Sequence, residues 1–140
     1  MTEELYDVVI IGAGPAGLQA AIHAVRKKAT VLVLGRPERS SLYKAHIENY
    51  LCIDGVREGS ELLAVGIDQV KRFGAEYMQE DVLQIEQTSE QFSLEVESGK
   101  TIKTRSLIFA TGTSRKKLKV KGEKELAGKG KLLFIVIQMK

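Results

Sequence analysis

The sequence predicts one α/β domain whose mainly parallel sheet carries an inserted three-stranded antiparallel meander. Three observations lead to this fold class. A strand, a helix and a second strand follow one another near the N-terminus, alternating apolar and polar residues occupy the middle of the chain, and a continuous apolar run follows them. With 140 residues, 44% of them hydrophobic, the chain can form about one domain with its own core.

The first 35 residues have the pattern of a strand, a helix and a strand. Residues 6–11 (YDVVII) are apolar and rich in β-branched side chains, which is typical of a strand buried on both faces of a parallel sheet. Pro15 suits the first turn of a helix, and apolar residues recur at helical spacing until about Lys28. Residues 30–34 (TVLVL) form the second strand, so the sequence predicts a β-α-β unit.

A long loop and a second helix follow. Residues 36–58 lack sustained periodicity and contain several turn-forming residues, so we expect an irregular loop with at most one or two helical turns. Ser60 is a suitable N-cap for a helix whose apolar residues continue to Phe73, and Gly74 can end it.

The antiparallel meander is predicted from about residue 82 to residue 104. Apolar and polar residues alternate there, and turn-forming segments at residues 88–90 and 98–100 separate the strands. Ile102 begins the third strand. Residues 107–110 (LIFA) are continuously apolar, which predicts a separate strand that returns to the parallel sheet.

Composition excludes several classes of protein. Cys52 is the single cysteine, so an internal disulfide or a multi-cysteine zinc site cannot form, and we expect no metal. The longest apolar run, residues 132–137, falls far short of the roughly 20 residues of a membrane-spanning helix. The N-terminus lacks the basic segment and cleavage site of a signal peptide. We therefore expect a cytoplasmic protein without membrane contact.

The whole chain has a formal net charge of +3. Its basic residues cluster in the last quarter of the sequence. They are Arg115, Lys116, Lys117, Lys119, Lys121, Lys124, Lys129 and Lys131. Such a cluster can attract nucleic acid. No aromatic residue is interleaved here, however, and Glu123 and Glu125 interrupt the series, so we interpret it as a solvated surface and expect no nucleic-acid partner.

Gly12, Gly14 and Gly17 form a G-x-G-x-x-G pattern between the first strand and the first helix. In that context the first glycine permits a tight turn, the second lets the backbone approach a pyrophosphate, and the third lets helix and strand pack closely. The free N–H groups and the dipole at the helix N-terminus then hold the phosphates. The sequence therefore predicts a dinucleotide-binding site.

The acidic residue that usually follows the second strand and binds the ribose is absent. Gly35 and Arg36 occupy this place, and Glu38 is the nearest acid. Arg36 could indicate a ribose 2′-phosphate, as in NADP sites, or it could be an ordinary surface arginine.

Four motifs in this order resemble the FAD half-domain of low-molecular-weight thioredoxin reductases and related flavin-dependent disulfide reductases. They are GAGPAGL at residues 12–18, IENY at 47–50, IFATG at 108–112 and GEKELAGKG at 122–130. The resemblance implies a Rossmann-like FAD-binding domain over residues 1–130, with FAD as the cofactor.

The resemblance also implies a set of cofactor-binding residues. They are Gly12, Gly14, Pro15, Ala16, Gly17, Gly35, Glu38, Leu42, Asn49, Val82, Ala110, Thr111 and Gly112. The glycine pattern would hold the pyrophosphate, Glu38 would contact the adenosine ribose, and Asn49 would lie against the flavin. The backbone of Val82 would pair with adenine, and Thr111 and Gly112 would close over the cofactor.

Some of these assignments have plain structural alternatives. Asn49 could cap a turn, and Val82 could be only a strand residue. The small, glycine-rich flavin loop that the family places before the leucine is replaced here by Arg-Ser-Ser ahead of Leu42. Cys52 has no C-x-x-C partner, so we do not expect it to be a redox cysteine.

The resemblance ends after Gly130. In the relatives a redox-active Cys-x-x-Cys and an NADPH domain follow, whereas Phe134 and Ile137 stand at the places of the two cysteines here. We therefore interpret residues 131–140 as an apolar tail outside the family pattern, as a frameshift, an early stop or a shortened chain would produce. We expect the run at 132–137 to pack as an added strand or to drive self-association.

Two classes of function follow from this pattern. The first is the FAD-binding portion of a flavoprotein oxidoreductase, in which electrons pass from a reduced nicotinamide through FAD to a disulfide. Its other partner would be a missing or separate domain with the NAD(P)H site and the redox cysteines, and a homo-oligomer could form. The alternative is a catalytically inactive nucleotide-binding module. In either case we expect no catalytic residue in this chain.

Overall fold

A computed structural model describes residues 5–114 and 119–126 of the protein. The helices are α1 (Pro15–Arg26), α2 (Gly59–Arg72) and α3 (Glu123–Leu126), with a 3₁₀ helix at Pro37–Arg39. The strands are β1 (Leu5–Ile11), β2 (Val31–Leu34), β3 (His46–Ile47), β4 (Arg57–Glu58), β5 (Glu76–Met78), β6 (Val82–Gln87), β7 (Phe92–Val96) and β8 (Thr101–Phe109).

Six strands form one sheet in the order β5-β2-β1-β8-β7-β6. The first four of these are parallel, and β8, β7 and β6 form the antiparallel meander. In the centre of the sheet, Val9 of β1 lies beside Leu32 of β2 on one side and Leu107 of β8 on the other. This topology confirms the predicted fold class, a Rossmann-like α/β domain with an inserted meander.

The prediction of two separate strands at the end of the meander is wrong. β8 is a single strand of nine residues that completes the meander and also returns to the parallel sheet. Lys103 pairs antiparallel with Ser93 and parallel with Leu5. No glycine or proline interrupts residues 104–107, and the buried Thr104 hydroxyl donates to the Tyr6 carbonyl at 3.1 Å, so the chain continues straight.

Three short strands were not predicted. β5 extends the parallel sheet beyond β2, and β3 and β4 form a small antiparallel ladder inside the long loop. Each has only two or three residues, which is too short for periodicity to show. The predicted helices are present, although α1 ends at Arg26 rather than near Lys28, which has a left-handed φ of 66°. The prediction of Ser60 as an N-cap is wrong, because α2 begins at Gly59 and its N-cap is Glu58.

Apolar side chains are buried on both faces of β1 and β2. Ile10 and Val33 belong to a cluster with residues of α1 and α2, whereas Val9 and Leu32 belong to a second cluster with residues of β7. Alternate residues of a strand point to opposite faces, so the helices cover one face and the meander covers the other. This two-sided burial explains why residues 8–11 of β1 and all of β2 are continuously apolar.

Several expectations concern residues outside the described part of the chain. These are the added strand or self-association of residues 132–137, the positions of Phe134 and Ile137, and the basic residues at 115–117, 129 and 131. Lys119, Lys121 and Lys124 of the basic cluster are described, and all three are exposed. Within residues 5–114 and 119–126, no helix combines the length and apolar character needed to cross a membrane.

Asp7 of β1 links the residue before β2 to the middle of β8. Its carboxylate accepts hydrogen bonds from the Thr30 backbone N–H at 2.8 Å and the Thr30 hydroxyl at 2.9 Å, and it pairs with Arg105 of β8. These bonds, led by the one from the Thr30 backbone, hold the pKa of Asp7 below its ordinary value of 3.8. The ionised carboxylate therefore stabilises the fold.

Asp7→Asn is expected to lower the melting temperature at neutral pH. The contribution of Asp7 is fully present above pH 3.8 and is lost as the pH falls through the lowered pKa of the folded state. Melting curves of the wild type and the variant should therefore differ at neutral pH and converge in acid. Asp68→Asn, at an exposed carboxylate of α2, is the matched control. A difference that did not change with pH would contradict this account.

Candidate dinucleotide-binding site

A cleft of about 340 Å³ lies at the carboxyl end of the parallel sheet. It is lined by the segments that follow β1, β2, β5 and β8. The predicted site residues among its lining are Gly12, Gly14, Pro15, Ala16, Gly35, Val82, Ala110, Thr111 and Gly112. Open α/β sheets bind their ligands outside the carboxyl ends of the strands, so the cleft is the candidate functional site.

The turn at residues 12–17, called here the glycine turn, leaves no room for side chains at two positions. A Cβ on Gly12 would lie 2.1 Å from the Ala110 carbonyl oxygen, and a Cβ on Gly17 would lie 1.9 Å from the Gly12 oxygen. The Gly12 N–H donates to the Leu34 carbonyl at 2.7 Å. Contacts with β2 and β8 therefore fix the floor of the cleft.

The N-terminus of α1 opens into this cleft. Gly14 is the N-cap and Pro15 the first helical residue, and no side chain caps the helix. The N–H groups of the first helical turn have no partner within a helix, and the helix dipole adds positive character there. The first turn carries no acidic residue. This part of the cleft is therefore suited to an anion such as a pyrophosphate.

The segment after β2 forms a second wall. Gly35 has a φ of 146°, and its carbonyl accepts a hydrogen bond from the Tyr77 hydroxyl at 3.0 Å. Burial raises the pKa of Tyr77, so this hydroxyl remains protonated and continues to donate at neutral pH. Gly35 is thus held against the glycine turn, where a Cβ would lie 2.9 Å from the Ala13 nitrogen.

Arg36 is partly exposed and pairs with carboxylates at the wall of the cleft. Its side chain is 24% exposed and pairs with Glu97, which follows β7. The Arg36 Nε atom also lies 3.6 Å from the carboxylate of Asp81, and Arg39 Nη1 lies 2.7 Å from the same carboxylate. Arginines from one wall of the cleft are therefore paired with carboxylates that belong to the meander and to the segment before it.

Four predicted site residues do not line the cleft: Gly17, Glu38, Leu42 and Asn49. The Glu38 carboxylate accepts a hydrogen bond from Gln79 Nε2 at 3.1 Å. Leu42 packs against the core cluster beneath α1 and α2, and Asn49 is exposed in the long loop. Their contact with a cofactor stays a prediction.

The sequence reasoning missed several residues that line the cleft. They are Ile11, Ala13, Leu34, Arg39, Ser40, Ser41, Glu80, Asp81 and Thr113, whereas Arg36, for which the sequence left two interpretations open, also lines the cleft. Glu80 and Asp81 follow β5, and no local signal marked that strand. Ser40 and Ser41 stand where the sequence departs from the resembling family, and this departure was the available signal. Among the described residues, no group of three or more metal-binding side chains comes together.

A parallel sheet, a glycine turn and an uncapped helix N-terminus at its carboxyl edge define a dinucleotide-binding α/β domain. The comparisons with known proteins narrow this class. The sequence model of the family described as "Pyridine nucleotide-disulphide oxidoreductase" matches residues 6–134. The chain belongs to this family, as its motifs predicted.

Several relatives that the chain matches are thioredoxin reductases. It is 38% identical to thioredoxin reductase from Listeria monocytogenes serovar 1/2a (strain ATCC BAA-679 / EGD-e) over 130 residues, which cover 91% of this chain and 40% of that protein. The structure of thioredoxin reductase from Giardia duodenalis superimposes with a TM-score of 0.76 at 32% identity, covering 89% of this chain and 41% of that one. The structure of a thioredoxin reductase from Gloeobacter violaceus superimposes with a TM-score of 0.74 at 30% identity, covering 89% of this chain and 42% of that one.

The chain spans about 40% of the length of the curated relatives it matches. These homologues are FAD-binding flavoproteins, in agreement with the cofactor that the motifs implied. The likeness therefore covers a flavoprotein-type domain and less than half of the matched proteins.

Proposed function

We propose that the chain binds FAD in the cleft, with the pyrophosphate at the glycine turn. One observation carries the proposal: the uncapped N-terminus of α1 opens into a cleft at the carboxyl edge of the sheet. The cradle is also narrow enough to exclude side chains at Gly12 and Gly17, which fits a backbone-lined phosphate site. The residues present therefore fit the cofactor of the family.

The roles of the remaining residues follow from their places around the cleft. Gly35 and Val82 line the side that carries β2 and the meander, which suits the adenosine half of the cofactor. Thr111 and Gly112 follow β8 and would close over the cofactor from the other side. We propose that Glu38 and Leu42 contribute from just outside the lining, and that Asn49 contacts the flavin from the long loop.

FAD, when bound, supplies a flavin that accepts and donates electrons. The residues of this chain bind and orient it. Reduction of a disulfide also needs an attacking thiolate and a resolving thiol, and the sequence holds one cysteine, Cys52, which is exposed. We therefore propose that the chain supplies the FAD-binding share of a thioredoxin-reductase-like reaction. Residues 1–130 would form this domain.

The proposal also concerns the partners of the chain and its location in the cell. The redox thiols and the nicotinamide site would lie on another segment or a separate chain, and a homo-oligomer would be compatible with the single domain described. A protein with one exposed thiol suits the reducing cytoplasm.

Titration of the 140-residue chain with FAD tests the binding site. Bound FAD should change flavin fluorescence with saturation at one cofactor per chain. FMN carries the same flavin but lacks the adenosine and the second phosphate, so its affinity should be lower by at least about tenfold, or about 1.4 kcal/mol. Equal affinity for FAD and FMN would contradict a site built around the pyrophosphate, and no binding of FAD would overturn the proposal.

A second measurement concerns turnover. The chain alone is expected not to reduce a disulfide substrate with NADPH, because one thiol cannot both attack and resolve a mixed disulfide. The assay follows NADPH absorbance with the wild type and with Cys52→Ser. Turnover that persists in the variant would show that this chain holds electron-transfer machinery other than its cysteine.

A further inference from the structure

Residues 48–56, called here the β3–β4 loop, join the two strands of the small antiparallel ladder. Within this loop Asp54 is followed directly by Gly55, and both residues are exposed. The other aspartates of the chain are followed by valine or glutamine, and its single asparagine is followed by tyrosine. The bond between Asp54 and Gly55 is therefore the one aspartyl–glycyl bond in the sequence.

At such a bond the backbone nitrogen of the glycine can attack the side chain of the aspartate before it. The Gly55 nitrogen would form a bond to Cγ of Asp54, and its proton would leave with the carboxyl hydroxyl as water. The product is a five-membered succinimide ring. Glycine favours this closure because it has no Cβ to obstruct the approach of its nitrogen and little resistance to backbone rotation.

Hydrolysis of the ring takes up one water and completes the reaction. Attack of water on one carbonyl carbon restores aspartate, whereas attack on the other gives isoaspartate, in which the main chain runs through Cγ. The net change is an isomerisation. It needs no oxidant, reductant or reactant other than water.

The folded chain leaves both reacting groups free. As far as residues 5–114 and 119–126 are concerned, the Gly55 N–H donates no hydrogen bond, and the Asp54 carboxylate takes part in neither a hydrogen bond nor an ion pair. Gly55 has a φ of 71°, and no atom lies within 4 Å of its Cβ position. The whole β3–β4 loop lies outside helices and strands, so no regular hydrogen bonding opposes rotation at this bond.

Regular structure or ion pairing holds the other aspartates. Asp7 lies within β1 and accepts the Thr30 backbone N–H at 2.8 Å, and Asp68 lies within α2. The Asp81 carboxylate lies 2.7 Å from Arg39 Nη1, and the residue after Asp81 begins β6. These aspartates therefore lack the free backbone that ring closure requires.

We propose that Asp54 is a modification site, at which the folded chain spontaneously forms a succinimide and then isoaspartate. Isoaspartate adds a methylene group to the main chain between β3 and β4. It also presents a carboxylate that enzymes of the S-adenosylmethionine-dependent isoaspartyl methyltransferase class accept as substrate. This inference is independent of the proposed FAD site.

Ageing of the full 140-residue chain at neutral pH, followed by proteolytic digestion and mass spectrometry, tests the site. The peptide with Asp54 should acquire a form lighter by one water, the succinimide, and a form of unchanged mass and different elution, the isoaspartate. Protein L-isoaspartyl methyltransferase with labelled S-adenosylmethionine should label the same peptide. Asp54→Glu should abolish this labelling because its ring would be larger, whereas Asp68→Glu, the matched control, should leave it unchanged.

Gly55→Ala keeps Asp54 and adds only the Cβ, so the modification should become slower. Gly99→Ala, at a turn glycine with the same open surroundings and a φ of 80°, should not change its rate. If Gly55→Ala reacted as fast as the wild type, the Gly55 nitrogen would not be the attacking atom and the inference would be wrong.

A synthetic peptide of residues 50–58 tests the contribution of the fold. Because the loop backbone is free, the folded chain should be modified at a rate within about fivefold of the peptide, and a larger deficit would overturn the inference. Thermal melting verifies that the aged chain is folded. No FAD is present in these measurements, so their failure would leave the proposed cofactor site standing, and failure of FAD to bind would leave the modification site standing.

Discussion

Gly12→Ala is expected to cost more than about 3 kcal/mol in the free energy of unfolding. Gly12 has a φ of 123°, a conformation that side chains rarely adopt, and its Cβ would lie 2.1 Å from the Ala110 carbonyl oxygen. Neither partner can yield cheaply, because both atoms belong to backbone held between neighbouring strands: the Gly12 N–H donates to Leu34 and the Ala110 N–H to Ile11. The loss would be a large share of the about 5–15 kcal/mol that stabilises an ordinary domain.

Gly99→Ala separates the two causes of this loss. Gly99 has a φ of 80° in the turn before β8, but no atom lies within 4 Å of its Cβ position. Its substitution should therefore cost only about 1–2 kcal/mol, the backbone penalty alone. Urea denaturation followed by circular dichroism measures both variants. If Gly12→Ala were no more destabilising than Gly99→Ala, the close approach of β1 and β8 would not constrain the fold.

The elements that the sequence predicts well are those whose signal is local. Val9, Ile10, Leu32 and Val33 are completely buried, so residues 8–11 and 31–34 have no polar positions and their apolar runs are unmistakable. The glycine turn is local too, because it depends on three glycines placed between a strand and a helix. By contrast, β5 has three residues, begins with the exposed Glu76 and exists through its pairing with β2. Nothing within its own sequence distinguishes it from a loop.

The single strand β8 shows a different limit. Its first half alternates and its second half is apolar from Leu107 onwards. The two halves have different strand partners, because β7 pairs only with residues 101–104, whereas β1 pairs with β8 as far as Phe109. A change of pattern therefore marks a change of neighbour and not a break in the strand. Sequence periodicity therefore cannot locate the end of a strand whose neighbours change along its length.

The candidate site likewise has one part with a local sequence signal and another part without one. Its floor could be predicted, since the glycine turn sits directly after β1, and the Thr111-Gly112 pair directly after β8. Its wall could not. Arg36 meets Asp81 and Glu97 across 45 and 61 residues of chain, and charged residues in loops are usually solvated. These residues meet because β5, which leads to Asp81, pairs with β2, and because the Glu97 N–H donates to the Asp81 carbonyl.

Gly14→Val is expected to weaken FAD binding by at least about 100-fold, or about 2.8 kcal/mol, while the fold remains intact. Gly14 has an ordinary extended backbone, with φ −84° and ψ −179°, so a side chain is not strained there. Its Cβ would lie 3.3 Å from the Ser40 hydroxyl oxygen, which is the end of a side chain that can rotate away. The added methyl groups would instead occupy the cleft in front of the α1 N-terminus, where we place the pyrophosphate.

Two controls isolate the loss of space from other effects of the substitution. Gly14→Ala adds one carbon and should reduce FAD affinity only moderately, since a small shift of Ser40 relieves the contact. Ala64→Val places the same branched side chain on the exposed face of α2, away from the cleft, and should leave FAD affinity unchanged. Fluorescence titration gives the affinities, and thermal melting verifies the fold. Because Gly14 can accept a side chain where Gly12 and Gly17 cannot, its variant tests binding rather than stability. Wild-type affinity in Gly14→Val would therefore place the pyrophosphate away from the glycine turn.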